Sequence, residues 1–277
     1  MAKNATANDQ ADLDVLSFAE TTEIVKASVQ SNQPITIEGS PGVGKTAMMH
    51  IIGKDLSMEV ETLILSQCEP TDIGGYPIAQ PNGSVDRLPL GAIKKACDAP
   101  VILFLDELTT AQPSVQAAML RVVLEREVGD LGLPASVAFV AAANPPEASA
   151  GGDDLAPPLA NRFCHLDWEA ETAHWVSGLL HGWDPPTVPL VPTERSAVEA
   201  RWRAVLAGFI TSRPSILRRL PEDLVAQGRA WPSPRTWDQA HRLAAAAEAA
   251  GAGALDRRAR RRVRRRRAPH RGRALVF

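Results

Sequence analysis

The chain has 277 residues, of which 45% are hydrophobic, and its net charge is −2. Residues 1–14 are polar, which argues against a secretory signal and favours a disordered leader. Its longest apolar run, Val137–Ala143, is too short to cross a bilayer, and three scattered cysteines match neither a zinc site nor a disulfide framework. We therefore expect a cytoplasmic protein without membrane insertion, with one main domain and a smaller one.

The first predicted element is a strand, loop and helix. Ile35–Ile37 is a short apolar strand, and helical sequence follows from Thr46. In that pattern backbone N–H groups surround nucleotide phosphates, the lysine reaches the outer phosphates, and the hydroxyl group holds Mg²⁺. A chance glycine-rich turn is the alternative, but the flanking strand and helix favour a nucleotide site. The loop fits G-x-x-x-x-G-K-[ST] with Gly39, Ser40, Pro41, Gly42, Val43, Gly44, Lys45 and Thr46.

A second strand, Val101–Leu105, is an unbroken apolar run that ends in Asp106 and Glu107. Such a run favours a parallel strand covered on both faces, whose carboxyl end lies at the ligand-binding edge of the sheet. We expect Asp106 to help hold Mg²⁺, and Glu107 to orient and deprotonate the attacking water. Apolar strands also end in Asp-Glu without any function, but the preceding phosphate loop favours the functional interpretation.

The run Val137–Ala143 predicts a third strand, which ends at Asn144 before two prolines. An amide at this sheet edge could hydrogen-bond the γ-phosphate or the attacking water. The alternative is a turn-forming asparagine before proline. Its position directly after a strand favours the functional role.

Two arginines follow in the chain. Arg162 precedes a predicted strand at Cys164–Leu166, and Arg235 lies in the first turn of a predicted helix that Ser233 caps and Pro234 opens. A cation in the first turn opposes the helix dipole, and a nearby triphosphate would offset that cost. The alternative for each arginine is a solvated surface position.

The C-terminal part predicts a helical region. Residues 182–193 are rich in proline and predict an irregular connection, after which apolar residues over 198–209 recur on one face of a helix. Further helices are predicted around 216–220 and 237–250. We expect the tryptophans of this region to be core residues rather than a stacking platform; they are Trp202, Trp231 and Trp237.

Charge is unevenly distributed along the chain. All 32 acidic residues lie at or before Asp256, and 11 of the 30 basic residues are arginines between Arg257 and Arg273. The remaining 19 basic residues leave the body at −13, whereas the tail carries +11. Three interpretations stay open: the tail binds nucleic-acid phosphates, it pairs with the acidic body, or it results from a shifted reading frame in a GC-rich gene. In each case we expect the tail by itself to be disordered.

Together these motifs resemble an AAA+ ATPase, and more closely a MoxR-type member, over roughly residues 16–250. The resemblance implies the α/β P-loop NTPase (AAA+) fold, a parallel sheet flanked by helices and followed by a small all-helical lid. It rests on the phosphate loop and on LFLDEL at 103–108, QAAML at 116–120 with LER at 124–126, AANP at 142–145, LANRF at 159–163 and SPR at 233–235. The expected segments are a leader at 1–14, the nucleotide-binding domain at 15–180, a linker at 181–196, the lid at 197–254 and the tail at 255–277.

By this resemblance Asn144 corresponds to the polar sensor-1 residue, and Arg162 to the arginine finger that reaches the neighbouring subunit's nucleotide. Arg235 corresponds to the sensor-2 arginine of the lid. The resemblance also implies ATP and Mg²⁺ as cofactors, a hexameric ring of identical chains, and a partner protein that the ring remodels or activates.

Two further segments resemble family features. Residues 70–75 and 83–96 resemble the helix-2 region with its inserted hairpin, and residues 127–133, with a turn at Gly129-Asp130, resemble the hairpin before the sensor-1 strand. In the family such hairpins usually face the pore of the ring or a partner.

Other nucleotide-binding proteins share the loop. Asp72–Gly75 fits the D-x-x-G of GTPases, but no N-K-x-D or T-K-x-D follows that could read guanine, so ATP is favoured. A small-molecule kinase would not need a strand-end Asp-Glu pair or a trans-acting arginine. Two functions remain as alternatives: a DNA-associated ATPase that uses the basic tail, and a nucleotide-dependent switch that hydrolyses very slowly.

Overall fold

The computed structural model describes residues 16–89, 91–145, 155–181 and 189–251. The predicted leader and the arginine-rich tail lie outside the described residues, as do residues 182–188 of the predicted linker.

The helices and strands are as follows. The first half contains α1 (Phe18–Ser31), β1 (Ile35–Glu38), α2 (Lys45–Leu56), β2 (Glu59–Ile64), α3 (Pro70–Gly74), β3 (Tyr76–Ala79), β4 (Val85–Leu88), α4 (Gly91–Asp98) and β5 (Val101–Asp106). It is followed by α5 (Pro113–Glu125), β6 (Glu127–Val128), β7 (Leu131–Gly132), β8 (Ala138–Ala143), α6 (Pro157–Ala160), β9 (Cys164–Asp167) and α7 (Thr172–His181). The C-terminal part contains α8 (Ser196–Ser212), α9 (Leu224–Gln227) and α10 (Pro234–Ala249).

Five strands form one parallel sheet in the order β2-β5-β8-β1-β9. All residues of β8 are buried, and so are those of β5 before Asp106, as their unbroken apolar runs predict. Because the strands are parallel, their carboxyl ends lie at one edge. This edge gathers the phosphate loop, Asp106, Glu107 and Asn144.

Alternate side chains of the strands point to opposite faces of the sheet, and each face has its own apolar core. On one face Leu103 and Leu105 pack with α5 through Met119. On the other, Phe104 packs with α2 through Met48, and with α1 and α10. Helices on both faces confirm the predicted parallel sheet flanked by helices.

Two small hairpins lie outside the sheet. Strands β3 and β4 pair antiparallel, and so do β6 and β7 around Gly129-Asp130, which confirms the hairpin predicted at 127–133. The Asp130 carboxylate accepts a hydrogen bond of 3.1 Å from the Arg87 N–H. A Cβ at Gly129 would lie 2.6 Å from the Arg87 Cβ. Glycine at this position therefore lets the two hairpins touch.

The C-terminal helices differ in part from the prediction. Helix α8 forms as predicted, and its apolar face is only partly covered, with Val205 58% exposed. It packs on α10 partly through polar contacts, including the bond from Trp202 Nε1 to Glu248. The helix predicted at 216–220 is wrong. A 3₁₀ turn at Pro214–Ile216 replaces it, since Pro221 disfavours helical backbone in the residue before it.

The three tryptophans of this region are half-buried, and Trp237 donates from Nε1 to the Ile216 carbonyl at 3.1 Å.

None of the described helices is long and apolar enough to span a membrane. The three cysteines are free thiols, and burial raises the pKa of Cys164 to about 12.

Candidate nucleotide-binding site

The loop between β1 and α2 owes its shape to glycine. A Cβ at Gly39 would collide with the carbonyl oxygen of Trp168, and Gly42 and Gly44 have φ angles of 81° and 100°, which side chains disfavour. The Gly39 N–H donates to the Ala143 carbonyl at 3.2 Å, which ties the loop to the end of β8. A loop of this kind that leads into a helix N-terminus offers backbone N–H groups to an anion.

Lys45 lies across this loop. Its Nζ donates to the carbonyl oxygens of Gly39 and Ser40 at 2.5 and 3.3 Å, and to Asn144 Oδ1 at 3.0 Å. Burial lowers the pKa of the ammonium group, and the charge of Asp106 offsets part of that effect. The structure therefore brings two predicted site residues, Lys45 and Asn144, into direct contact.

Thr46 and Asp106 lie together and offer oxygen ligands for a metal ion. The Thr46 hydroxyl donates to Asp106 Oδ2 at 3.3 Å. Magnesium is usually bound through one or two carboxylates, with phosphate and water oxygens as its other ligands. In the part of the chain that the structure describes, no group of three or more His, Cys, Asp or Glu could hold a metal by itself. The Thr46–Asp106 pair fits an ion that takes its remaining ligands from a bound triphosphate.

Glu107 has an unusual backbone conformation. Its φ of 56° lies in the left-handed region, which non-glycine residues seldom adopt outside functional or tightly turned sites. The Thr110 hydroxyl donates to its carbonyl at 3.0 Å, and the Ser66 hydroxyl donates to its carboxylate. Ser66 follows β2 and was not predicted as a site residue. Its position after a strand of the same sheet was the signal that could have identified it.

The two predicted arginines, Arg162 and Arg235, do not lie at the phosphate loop of their own chain. Because β9 runs parallel to β1, Arg162, which precedes β9, lies at the end of the strands opposite to the phosphate loop. Its Nη1 donates to the Pro158 carbonyl, and its buried Nε has no partner among the atoms described. Burial, and then the charge of Arg235, lower the pKa of Arg162. Arg235 is thus close enough to Arg162 for its charge to act on it, and among the described residues no hydrogen bond links either arginine to the loop.

The start of α10 explains this proximity. Ser233 is the predicted cap and accepts from the Thr236 N–H at 3.2 Å, with Pro234 in the first turn. The Ser233 hydroxyl also donates to Asn161 Oδ1 at 2.8 Å. The cap that begins α10 is therefore bonded to the residue before Arg162, which places Arg235 nearby.

A charge cluster around the buried Glu38 lies directly before the loop. Glu38, the last residue of β1, contacts His165 Nδ1 through Oε1 and Arg229 Nη2 through Oε2, both at 2.8 Å. Arg229 also pairs with Asp167. Burial raises the pKa of Glu38, but the hydrogen bond and charge of His165, with the charge of Arg229, outweigh it and leave the pKa below 4.5. Sequence reasoning missed this cluster, which joins the C-terminal part of the chain to the base of the loop.

We expect Glu38→Gln to lower the free energy of unfolding by about 2 kcal/mol at neutral pH, because an amide cannot provide the charge that these cations face. Since folding lowers the pKa of Glu38, its contribution is complete above 4.5 and is lost as the pH falls below 4.5 through the folded pKa. Urea unfolding of both proteins over this pH range measures the difference. A difference that does not shrink in acid would contradict the assignment.

Residues 34–163 match the family model of the AAA domain, dynein-related subfamily. No curated protein matches the chain significantly. Among solved structures, it is similar to the crystal structure of a protein from Cytophaga hutchinsonii that is provisionally named an ATPase, with 19% identity and a TM-score of 0.44. That similarity covers 62% of this chain and 53% of the other, so the chain spans about half the length of that protein.

The family match starts just before β1 and ends just before β9. It therefore contains the phosphate loop, Asp106, Glu107, Asn144 and Arg162, and it leaves the C-terminal helices outside. Residues 34–163, slightly less than half of the chain, thus match the model of an AAA domain, and the parallel sheet with its flanking helices has the P-loop NTPase fold.

Proposed function

We propose that the chain is a Mg²⁺-dependent ATPase that converts ATP and water to ADP and phosphate. The observation that carries the proposal is the meeting of four residues at one sheet edge through two hydrogen bonds, Lys45 to Asn144 and Thr46 to Asp106. Glu107 follows Asp106 at the same edge. Together these residues supply a positive charge for the phosphates, oxygen ligands for the metal, a polar contact for the γ-phosphate and a general base.

Each side chain has a distinct role in this proposal. Thr46 and Asp106 would hold Mg²⁺, which when bound would supply positive charge to the phosphate oxygens. Lys45 would exchange the loop carbonyls for the outer phosphates. Glu107 accepts a proton from the attacking water while the Ser66 hydroxyl steadies its carboxylate.

Phosphate release from ATP by the purified full chain tests this function directly. We expect turnover with Mg²⁺ and none when the metal is chelated. Turnover that is unchanged by chelation would contradict the metal role. Binding of ATP without measurable release, with or without added partner fractions, would identify a slow switch instead.

We further propose that the chain is of the MoxR type and works as a ring, hexameric by resemblance, which remodels or activates a partner protein. The support is the pair Arg162 and Arg235, which lies at the strand ends opposite to the chain's own loop. The Ser233–Asn161 hydrogen bond holds the start of α10 near Arg162, and the charge of Arg235 disfavours the charged form of Arg162. An anion from outside would relieve this repulsion. The triphosphate on a neighbouring chain is such an anion, so we propose that both arginines act in trans.

The arginine-rich tail supports a second candidate, a DNA-associated ATPase. Eleven arginines within residues 257–273 would release counterions on binding phosphates, so the affinity should fall steeply with salt. Filter binding over a salt series, with and without residues 257–277, separates the two functions. Binding that persists without the tail would contradict this candidate.

A further inference from the structure

The side chain of His165 lies between two hydrogen-bond acceptors. Its Nδ1 is 2.8 Å from Glu38 Oε1, and its Nε2 is 2.9 Å from the carbonyl oxygen of Ala160. Only 5% of the side chain is exposed, so water has little access to the ring. A buried titratable group that the proposed hydrolysis does not use thus joins two separate segments.

These two contacts depend on the proton state of the ring. The pKa of Glu38 lies below 4.5, so its carboxylate is ionised at neutral pH and can only accept, as can the carbonyl oxygen. A neutral imidazole has one N–H and donates to only one of the two acceptors, whereas an imidazolium donates to both. Both hydrogen bonds are therefore made only while His165 is protonated.

The charges around the ring favour the protonated state. Glu38 faces it from β1, and Arg229 pairs with both Glu38 and Asp167. Two carboxylates and one guanidinium leave one negative charge, which an imidazolium neutralises. Helix α6 contributes a carbonyl group and no charge. Helix α10 packs near β9, and three of its titratable side chains lie against one another, namely Asp238, His241 and Arg242.

The ring bridges segments at opposite ends of β9. His165 pairs in register with Thr36, and Glu38 is two residues further along β1, so Glu38 and His165 project from the same face of the sheet. Glu38 is the last residue before the phosphate loop, and Ala160 ends α6, two residues before Arg162. His165 therefore ties the strand that leads into the loop to the segment that carries Arg162.

Helix α10 also holds the Arg162 segment. The Ser233 hydroxyl donates to Asn161, and Gln239 Nε2 donates to the Arg162 carbonyl oxygen at 2.6 Å. The segment is thus anchored both to α10 and, through His165, to the sheet. Because hydrogen bonds to an ionised acceptor are the stronger ones, a neutral ring would keep its bond to the Glu38 carboxylate and release the sheet-side anchor at Ala160.

We propose that His165 is a positioning residue for Arg162, which it holds in its working position only while the ring is protonated. The inference rests on the proposed function, in which Arg162 acts on the nucleotide of a neighbouring chain. Histidine is the side chain that normally changes charge between pH 5 and 8. Turnover by the assembly should therefore fall as the pH rises through this range. ATP binding by the loop should not change with it, because the ring contacts Glu38 and not the loop itself.

The pH dependence of kcat for ATP hydrolysis tests this role. Between about pH 6 and pH 8 we expect the wild-type kcat to fall roughly tenfold, since a misplaced group costs rate, while KM changes little. The shorter amide in His165→Asn can donate to Glu38 but does not reach Ala160. This variant should have the low kcat throughout and lack the step. His181→Asn makes the same chemical change at the exposed end of α7 and, as the matched control, should keep the step.

A double variant separates positioning of Arg162 from a general effect on the fold. If His165 acts through this arginine, adding His165→Asn to Arg162→Ala should lower the residual turnover no further. A further loss of about tenfold would overturn the proposal, because the ring would then act elsewhere. The same pH step in His165→Asn as in the wild type would overturn it as well.

The ¹⁵N chemical shifts of labelled histidine give a readout that does not depend on turnover. The signals of His165 are those that disappear in His165→Asn. At about pH 6 both of its nitrogens should have the shifts of protonated nitrogens, and at about pH 8 one of them should have lost its proton. A ring that keeps one proton state over this range would overturn the proposal. Failure of the wild type to hydrolyse ATP at any pH would instead contradict the proposed function, and the shifts would still report the proton state of His165.

Discussion

Glu107→Gln is expected to keep ATP binding but to slow hydrolysis by at least about a hundredfold, since an amide cannot accept the proton of the attacking water. Glutamine has almost the same shape as glutamate, and its carbonyl oxygen can still accept from the Ser66 hydroxyl. The left-handed backbone at this residue, with φ of 56°, should be unchanged. The loss would therefore report on proton transfer rather than on position.

Single-turnover phosphate release measures this effect, with ATP binding determined separately by calorimetry. Glu125→Gln on the exposed end of α5 is the matched control, because it makes the same chemical change outside the site. Turnover within a few-fold of the wild type would show that Glu107 is not the base. In that case the acidic strand end would need another role.

Lys45→Ala should weaken ATP binding by at least about a hundredfold, because the outer phosphates lose their charged donor while the backbone loop remains. The lysine also donates to Asn144, so the variant removes one of the contacts that join the loop to β8. Gly39 retains its own hydrogen bond to Ala143. We therefore expect the protein to fold with its sheet intact.

Calorimetric titration with ATP and Mg²⁺ measures this loss. Lys54→Ala removes an exposed lysine from the other end of the same helix and should bind like the wild type. Circular dichroism checks the fold of each variant. An affinity for Lys45→Ala equal to that of the wild type would refute the phosphate-loop assignment.

Local sequence patterns predicted the parts of the site that depend on short segments. The phosphate loop, the buried strand before Asp106 and the strand before Asn144 each have a continuous signal, and parallel pairing makes their ends converge. The cap at Ser233 was predictable for the same reason, since a cap and its helix are neighbours in sequence.

Contacts between distant segments could not be predicted in this way. Ser66 lies 41 residues from Glu107, and nothing in either segment indicates their hydrogen bond. The contact of Arg229 with Glu38 and the proximity of Arg235 to Arg162 likewise depend on how the C-terminal helices pack. The helix expected at 216–220 does not form, since Pro214 and Pro221 flank this segment and a 3₁₀ turn takes its place.

A mixture of two inactive variants tests the central claim, that the working site is shared between chains, most directly. Glu107→Gln keeps Arg162 but lacks the base, whereas Arg162→Ala keeps the base but lacks the arginine, whose removal should cost about 10³-fold in turnover. Each variant alone should be nearly inactive. When they are mixed and crosslinking shows that they share assemblies, some sites pair an intact Glu107 with an intact Arg162 from the neighbour. Partial return of ATPase activity is the predicted result. Shared assemblies without any recovered activity would contradict the claim that Arg162 acts in trans.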